Sequence, residues 1–308
     1  MAKKYDVIVI GAGPGGLTAG LYASRANLSV LILDRGIYGG QMNNTAEVEN
    51  YPGFKSILGP DLAEKMYQGA TQFGAEYAYG SVEKVEVNGD LKQVITDSET
   101  YEAPVVIIAT GSQYRKLGVE GEAEYAGRGV SYCAVCDGAF FKDQPVAVIG
   151  GGDSAVEEGV YLAKLASNVN IIHRRDQLRA QKILQERAFA NDKIDFTWDT
   201  VVTKINGDGQ KVTSVSTHNK KTGEDGELKV NGVFIYVGVI PLSEPFKELG
   251  ITDEQGWIKT DELMQTSLPG VYAIGDVRAK ELRQITTAVG DGSIAGQQAF
   301  NYLESLKD

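Results

Sequence analysis

Two stretches of this chain restate each other without a gap, Gly11 falling on Gly150, an offset of 139 residues. The first opens with Val7-Ile8-Val9-Ile10, a β-branched apolar run that reads as a buried parallel strand. Gly11-Ala12-Gly13-Pro14-Gly15-Gly16 follows, then a helical pattern from Leu17 to Ala26, then a second strand, Val30 to Leu33, ending at Asp34. The second copy reads Val146-Ala147-Val148-Ile149-Gly150-Gly151-Gly152-Asp153-Ser154-Ala155. Gly13 maps to Gly152, Gly16 to Ala155, Gly20 to Gly159, Tyr22 to Tyr161 and Val30 to Val169. In G-x-G-x-x-G between a strand and a helix, the first glycine makes the turn and the second lets the backbone approach a pyrophosphate. The third allows close helix–strand packing, and the helix N-terminus faces the phosphates. A glycine-rich turn in an unrelated α/β protein is the competing reading of one copy. Two copies, each with its strand and helix, mean two dinucleotide sites.

The copies differ at the end of their second strand. The first has Asp34, placed to accept from a ribose hydroxyl. The second has His173-Arg174-Arg175, with Arg179 soon after. Arginines in place of the acid would pair with a 2′-phosphate through charge-assisted, often bidentate bonds. The second site is therefore expected to prefer NADPH to NADH, against the plainer reading of a basic helix start with no ligand. His173 reads as part of that phosphate pocket rather than as an acid–base catalyst.

Between the copies lies Tyr132-Cys133-Ala134-Val135-Cys136-Asp137-Gly138, which holds both cysteines of the chain. A Cys-x-x-Cys pair can open and close as a disulfide with little backbone movement, which suits two-electron thiol chemistry. A structural disulfide is the poorer reading, since so short a loop removes little entropy from the unfolded chain. A metal site needs about four ligands, and the chain offers no other cysteine and only two histidines. Two buried, inert thiols remain the plain alternative. Asp137 is the acid adjacent to the pair. It is a candidate proton shuttle for the thiols, or alternatively a helix cap. Arg128, Phe140 and Phe141 flank the dithiol and are candidates for docking a partner, the aromatics also reading as core.

Totals bound the partners. A net charge of −11 argues against a nucleic-acid or anionic-membrane partner. Two lone cysteines fit a reducing compartment. The apolar run after the start spans only Val7 to Ile10, too short for a signal-peptide core. No apolar run approaches the ~20 residues of a membrane span. A cytoplasmic protein is expected, and a chain of 308 residues has room for two domains.

The remaining segments fill in around the repeats. Gly39 to Gly53 is polar and turn-rich, fit either to lie along a cofactor or to be a solvated loop. Asp61 to Phe73 reads as a helix. Glu83–Val87 and Lys92–Thr96 read as antiparallel strands around Asn88-Gly89, and Thr197–Ile205 and Lys211–His218 as a second such layer. Asn219 to Gly226 reads as an exposed turn. Val105–Ala109 and Val233–Gly238 are further buried strands. Val271-Tyr272-Ala273-Ile274 ends in Gly275-Asp276, at a strand's carboxyl end where a ligand is met. Arg283-Gln284 follows, and a helix is expected from Asp291 to Leu306.

In order, Gly11-x-Gly13-x-x-Gly16, Cys133-Ala134-Val135-Cys136-Asp137-Gly138, Gly150 to Ala155, His173-Arg174-Arg175 and Gly275-Asp276-Val277 with Arg283-Gln284 span essentially the whole chain. Together they closely resemble the low-molecular-weight bacterial-type thioredoxin reductases. The resemblance implies an α/β fold of two Rossmann-like three-layer dinucleotide-binding domains, the second inserted into the first. The FAD domain would comprise residues 1–112 and 243–308, and the NADPH domain, with the redox-active pair, residues 113–242. FAD contacts carry over to Gly11, Gly13, Gly16, Asp34, Gln41, Asn50, Asp276, Arg283, Gln284 and Ile285, with Val82 beside the adenine. NADPH contacts carry over to Gly152, Asp153, Ser154, His173, Arg174, Arg175 and Arg179. Asp137 is placed as the acid–base beside Cys133 and Cys136. A homodimer and a thioredoxin-like protein disulfide are the implied partners. Ile285 stands where the family often has alanine, and Ala139 where phenylalanine is common.

Electrons are then expected to pass from NADPH to FAD, to the Cys133–Cys136 disulfide, and to a protein disulfide. The nicotinamide and the dithiol must take turns at one flavin, so a domain rotation is expected on hinges near Thr110–Gln113 and Pro241–Glu244. The rivals are a flavoprotein disulfide reductase with another donor, such as ferredoxin, or another acceptor, and a redox-sensing flavoprotein without turnover.

Overall fold

The computed structural model describes residues 2–45 and 47–307. In chain order its main elements are β1 (Val7–Ile10), α1 (Pro14–Arg25), β2 (Val30–Asp34), α2 (Gly59–Thr71), β3 (Glu76–Tyr79) and β4 (Val105–Ile108). They continue with β5 (Val130–Ser131), α3 (Ala134–Asp137), β6 (Pro145–Gly150), α4 (Asp153–Ala163), β7 (Asn168–Ile172), α5 (Lys182–Phe189), β8 (Ile194–Thr197) and β9 (Gly232–Tyr236). The last are β10 (Val271–Ala273) and α6 (Ile285–Ser305). The chain divides into two units, one of residues 1–113 and 240–308, the other of residues 114–239.

The first unit is built on a five-stranded parallel sheet in the order β10-β4-β1-β2-β3. Every residue of β1 and β4 is buried, as an apolar run covered on both faces requires. Their side chains alternate between the faces. Val7, Val9, Ile32 and Ile107 pack with Leu17, Ala19, Ala295 and Ala299 of α1 and α6. Ile8, Ile10, Leu31 and Leu33 pack with Val85, Val94 and Tyr101 of an antiparallel layer. That layer contains the expected hairpin, Val82–Asn88 paired with Leu91–Thr96.

The second unit repeats the plan with β5-β9-β6-β7-β8. The repeat extends to strand register: Val7 pairs with Val30 in the first sheet, and Val146 pairs with Val169 in the second. Val146, Val148, Val169 and Ile171 face the helices, while Ala147, Ile149 and Ile172 face a second antiparallel layer. Here the sequence reading needs correction. The expected strand Thr197–Ile205 is two strands, because residues 194–197 belong to the parallel sheet and Thr200–Gly207 to the antiparallel one. Asp199 turns the chain between them at φ 53°. The expected turn at 219–226 ends in a third strand, Asp225–Lys229. Charged residues hide a strand whose positions are mostly solvent-facing.

α6 begins at Ile285, six residues before the expected start. Two glycines within it let it close on α1: a methyl on Gly292 would come 2.3 Å from Gly15 O, and one on Gly296 2.7 Å from Tyr22 Cβ. Tight helix contact outweighs the low helix propensity of glycine there.

The turn between β1 and α1 is fixed by sterics. Gly11 has φ +111°, and a Cβ there would lie 2.3 Å from Ala109 O. A Cβ on Gly16 would lie 1.9 Å from Gly11 O. Gly16→Ala is expected to force the turn open, lowering stability by roughly 1–3 kcal/mol and releasing FAD. Thermal unfolding and the ratio of flavin to protein absorbance after gel filtration check this, and a variant with unchanged flavin content would refute it.

Candidate functional site

In the first unit, Asp34 is held from two sides by backbone: Ala12 N–H donates to Oδ2 (2.7 Å) and Gly36 N–H to Oδ1 (2.9 Å). Each oxygen keeps a lone pair free to accept from a ribose hydroxyl. Gly13 is the N-cap of α1 with no side-chain cap. Nothing lies within 4 Å of where its Cβ would be, so the helix N-terminus opens onto free space. Gly11, Asp34 and Val82 line one cleft of about 690 Å³ together with Arg35, Thr110 and Leu242. The expected adenine-side residue and the glycine turn thus meet. Arg35, which the sequence reading missed, adds a cation beside them.

The remaining expected FAD residues gather at the start of α6. Gln284 is its N-cap, in a reciprocal capping arrangement with Thr287, and its Oε1 accepts from Asn50 Nδ2 (3.1 Å). Gln41 donates to Ser112 O (3.3 Å). Ile285 packs against the cluster of Met42, Val48, Leu62 and Ala63. Arg283 donates to Asp276 O (3.3 Å) and stacks 3.7 Å from the centre of the Trp257 ring. Burial raises the Asp276 carboxyl above its ordinary pKa, with Lys280 and Arg283 acting in the opposite direction. Glycine turn, open helix N-terminus, anchored acid and cleft together fit a dinucleotide.

In the second unit, Gly152 is the N-cap of α4, again with open space at its Cβ position. Asp153 is turned inward: Gln181 N–H donates to its Oδ1 (2.8 Å) and Gln181 Nε2 to its Oδ2 (2.9 Å). With Arg179 N–H donating to Gly151 O (2.6 Å), this closes the basic loop over the glycine turn. His173 is 4% exposed, packed against the Gly151 position, and its Nε2 has no hydrogen-bond partner among the described residues. Burial, then the charges of Arg179, Arg175 and Arg174, lower its pKa. It therefore stays neutral, with a buried polar atom for a ligand to meet. Arg174 and Arg175 are exposed, where a phosphate can reach them.

Cys133 and Cys136 form a disulfide with Cα atoms 5.4 Å apart. Cys136 is exposed and Cys133 half-buried. Cys133 caps the four-residue α3, its Sγ accepting from Cys136 N–H (3.1 Å). Ser131, overlooked in the sequence, organises the pair. Its hydroxyl accepts from Cys133 N–H (3.0 Å) and donates to Asp137 Oδ2 (2.6 Å). Asp137 makes no side-chain cap, so the helix-cap alternative is not what the structure shows. Tyr132 donates to Glu122 (2.5 Å). Burial pushes the Glu122 carboxyl up, but that bond and the N–H groups of Leu117 and Gly118 outweigh it and hold its pKa low. α3 rests on α4, where a Cβ on Gly138 would meet Leu162 at 3.1 Å. Ala134 N–H donates to the buried Tyr236 hydroxyl (3.0 Å).

The flanking residues separate into two kinds. Phe140 is 75% exposed. Phe141 is core, edge-on to Phe234 at 5.4 Å. Arg128 is exposed, and its guanidinium donates to Gly209 O (3.0 Å) and Glu124 O (2.5 Å), holding its own loop. Among the described residues, no group of three or more histidine, cysteine or acidic side chains could hold a metal ion.

This chain belongs to the pyridine nucleotide-disulphide oxidoreductase family, whose model matches residues 5–292. Among its relatives is the thioredoxin reductase of Listeria innocua, 61% identical over 99% of this chain and 96% of that one. The thioredoxin reductase of Bacillus subtilis is 58% identical over 99% and 97%. The crystal structure of Lactococcus lactis thioredoxin reductase (FR conformation) superposes with a TM-score of 0.97 at 54% identity, covering 98% of this chain and 99% of that one. The chain is an oxidoreductase that uses FAD and NADPH.

Glu158, on α4, is 9% exposed, and its Oε2 lacks a hydrogen-bond partner among the described residues. Burial, then the neighbouring Glu157, pushes its pKa up to about 8. The unfolded chain loses this proton near the ordinary value of 4.5, so stability falls as pH rises from there to about 8, by about 1.4 kcal/mol per unit. Glu158→Gln is expected to match the parent in thermal stability near pH 5 and exceed it increasingly towards pH 8. A difference that does not grow with pH would contradict the assignment.

Proposed function

We propose that the protein reduces the disulfide of thioredoxin, or of a thioredoxin-like protein, at the expense of NADPH. Supporting this reading most directly is the Cys133–Cys136 disulfide, held by Ser131 and Tyr236 on the same unit as the NADPH loop. FAD would be held by Gly11, Gly13, Gly16, Asp34, Gln41, Asn50, Val82, Asp276, Arg283, Gln284 and Ile285. NADPH would be held by Gly152, Asp153, Ser154, His173, Arg174, Arg175 and Arg179, Asp153 acting through Gln181 rather than by direct contact. These two cofactors supply the hydride and relay its electron pair.

The chain's own work is thiol chemistry. Two electrons and two protons convert the disulfide to two thiols. One cysteine then loses its proton and attacks the partner's disulfide, forming a mixed disulfide and expelling a partner thiolate. The second cysteine displaces the partner's other sulfur and restores Cys133–Cys136. Asp137, 2.6 Å from the Ser131 hydroxyl that also binds Cys133 N–H, takes the proton from the attacking thiol and returns it to the leaving thiolate. With FAD held by the first unit and the Cys pair and NADPH residues on the second, the second unit would have to present the dithiol and the nicotinamide to the flavin in turn, turning on the two crossings between units. Exposed Phe140 gives an apolar contact for the partner protein beside Cys136. We assign the protein to the cytoplasm as a homodimer. Apolar Tyr22 and Ile294, exposed on α1 and α6, support the dimer. No helix among the described residues is long and apolar enough to cross a membrane.

The test follows NADPH oxidation with thioredoxin disulfide as acceptor. Turnover is expected in the parent and abolished in Cys133→Ser. Asp137→Asn is expected to slow thiol exchange by 10²-fold or more while leaving the reduction of FAD by NADPH within about twofold. Turnover in Cys133→Ser would sink the dithiol mechanism, and equal losses in both steps of Asp137→Asn would remove its proton role.

A further inference from the structure

The sequence reading stopped at Asp276 and Arg283–Ile285, yet the group that joins them is Asp291, on the second turn of α6. Its side chain is 12% exposed. Oδ1 lies 2.9 Å from Arg278 Nη1. Oδ2 accepts from Lys280 Nζ (2.9 Å) and from Gly275 N–H (2.9 Å). Arg278 also donates through Nε to Thr260 Oγ1 (2.8 Å), and its carbonyl accepts from Arg283 Nη2 (3.1 Å). One carboxylate thus pins the Gly275–Asp276 turn, the 278–280 strap and the start of α6 together.

The charges of this cluster do not cancel. Asp276 and Asp291 face Arg278, Lys280 and Arg283, so with every group ionised one positive charge is left over among the described residues. Glu281, next in sequence to Lys280, is solvent-exposed. Buried ion pairs are poor devices for stability alone, because desolvation offsets most of their attraction. A cluster with a surplus cation at a helix N-terminus suits an anion instead.

We propose that Asp291 is a positioning residue for FAD: it fixes Asp276 relative to Arg283–Ile285, and by pairing with Lys280 and Arg278 it sets the charge this side of the site presents to the flavin and so its reduction potential. This rests on the assignment of Asp276 and Arg283–Ile285 to FAD. Reduction of the flavin adds negative charge. An extra unmatched cation therefore favours the reduced form, and a lost cation favours the oxidised form.

The experiment measures FAD retained through gel filtration, and the flavin potential by equilibration with a redox dye, in a Cys133→Ser/Cys136→Ser background that isolates the flavin couple. Asp291→Asn is expected to shift the reduced-to-oxidised ratio about tenfold towards reduced, about 30 mV for a two-electron couple. Lys280→Met alone is expected to shift it the other way, and Asp291→Asn with Lys280→Met to return it to within about twofold of the parent. If Asp291→Asn sheds its FAD, restored retention in the double variant supports the proposal, and no restoration overturns it. A potential unmoved in Lys280→Met, or moved by Asp291→Asn without reversal in the double variant, reduces Asp291 to a structural tie and overturns the proposal. Asp276→Asn separates the levels. If it leaves both FAD retention and potential unchanged, the assignment of this segment to FAD falls and this inference with it. If Asp276→Asn responds and the Asp291 and Lys280 variants do not, only the inference falls.

Discussion

The closeness of backbone to backbone at the glycine turns governs the molecule. At Gly16 a single carbon would collide with Gly11 O, and at Gly11 with Ala109 O. Removing those side chains lets α1 start directly over the end of β1, with its first N–H groups directed to open space at Gly13. The second copy reaches the same end with Ala155 in place of Gly16 and with Gly150 tucked against Tyr236 O. From two equal platforms the chain makes two unlike sites, by the residue that follows each second strand. Asp34 is tied to backbone donors and can accept from a sugar. His173 is buried and neutral, with three arginines around it that can meet a phosphate.

α4 connects nucleotide and thiol. Its N-terminus carries Gly152 and Asp153, and its C-terminal end meets Gly138, the residue after α3, through Tyr161 and Leu162. Tyr236, at the end of the strand next to β6, reaches Ala134 between the two cysteines. The dithiol is therefore fastened to the same elements that form the second glycine turn. Under the proposed assignment of FAD to the first unit, movement that brings one of them to the flavin would carry the other along. The proposed alternation rests on this shared body and on the chemistry, in which the flavin would accept electrons from nicotinamide and pass them to the disulfide.

Much of the fold could be read from the residues because burial imposes pattern. The β-branched runs at Val7, Val105, Val146 and Val233 have no solvent-facing residue to confuse the reading, and the repeat fixed their roles. The misreadings fall where local composition and tertiary contact disagree. The first six residues of α6, Ile285 to Gly290, were not read as helix because Ile285, Thr286, Thr287 and Gly290 are weak helix formers, and the helix there rests on the Gln284–Thr287 capping pair. The first two residues of the Asp225–Lys229 strand were read as turn because its charged face is solvated. At the site, residues with a motif behind them were visible: Cys133, Cys136, Asp137 and the glycines. Ser131 was hidden because its hydroxyl acts through a bond of six residues' span to Asp137. Asp291 was hidden because its partners lie 11 to 16 residues back along the chain and meet it only when α6 folds over the 275–280 turn.

The central claim is that flavin and dithiol form one relay in this chain. Anaerobic titration with NADPH, followed by flavin absorbance and by counting thiols, tests it most directly. The account predicts that the parent takes up two electron pairs per chain, one on the flavin and one on the disulfide, with two thiols appearing, and that Cys133→Ser takes up a single pair. Uptake of one pair by the parent, with the Cys133–Cys136 disulfide left intact, would contradict it.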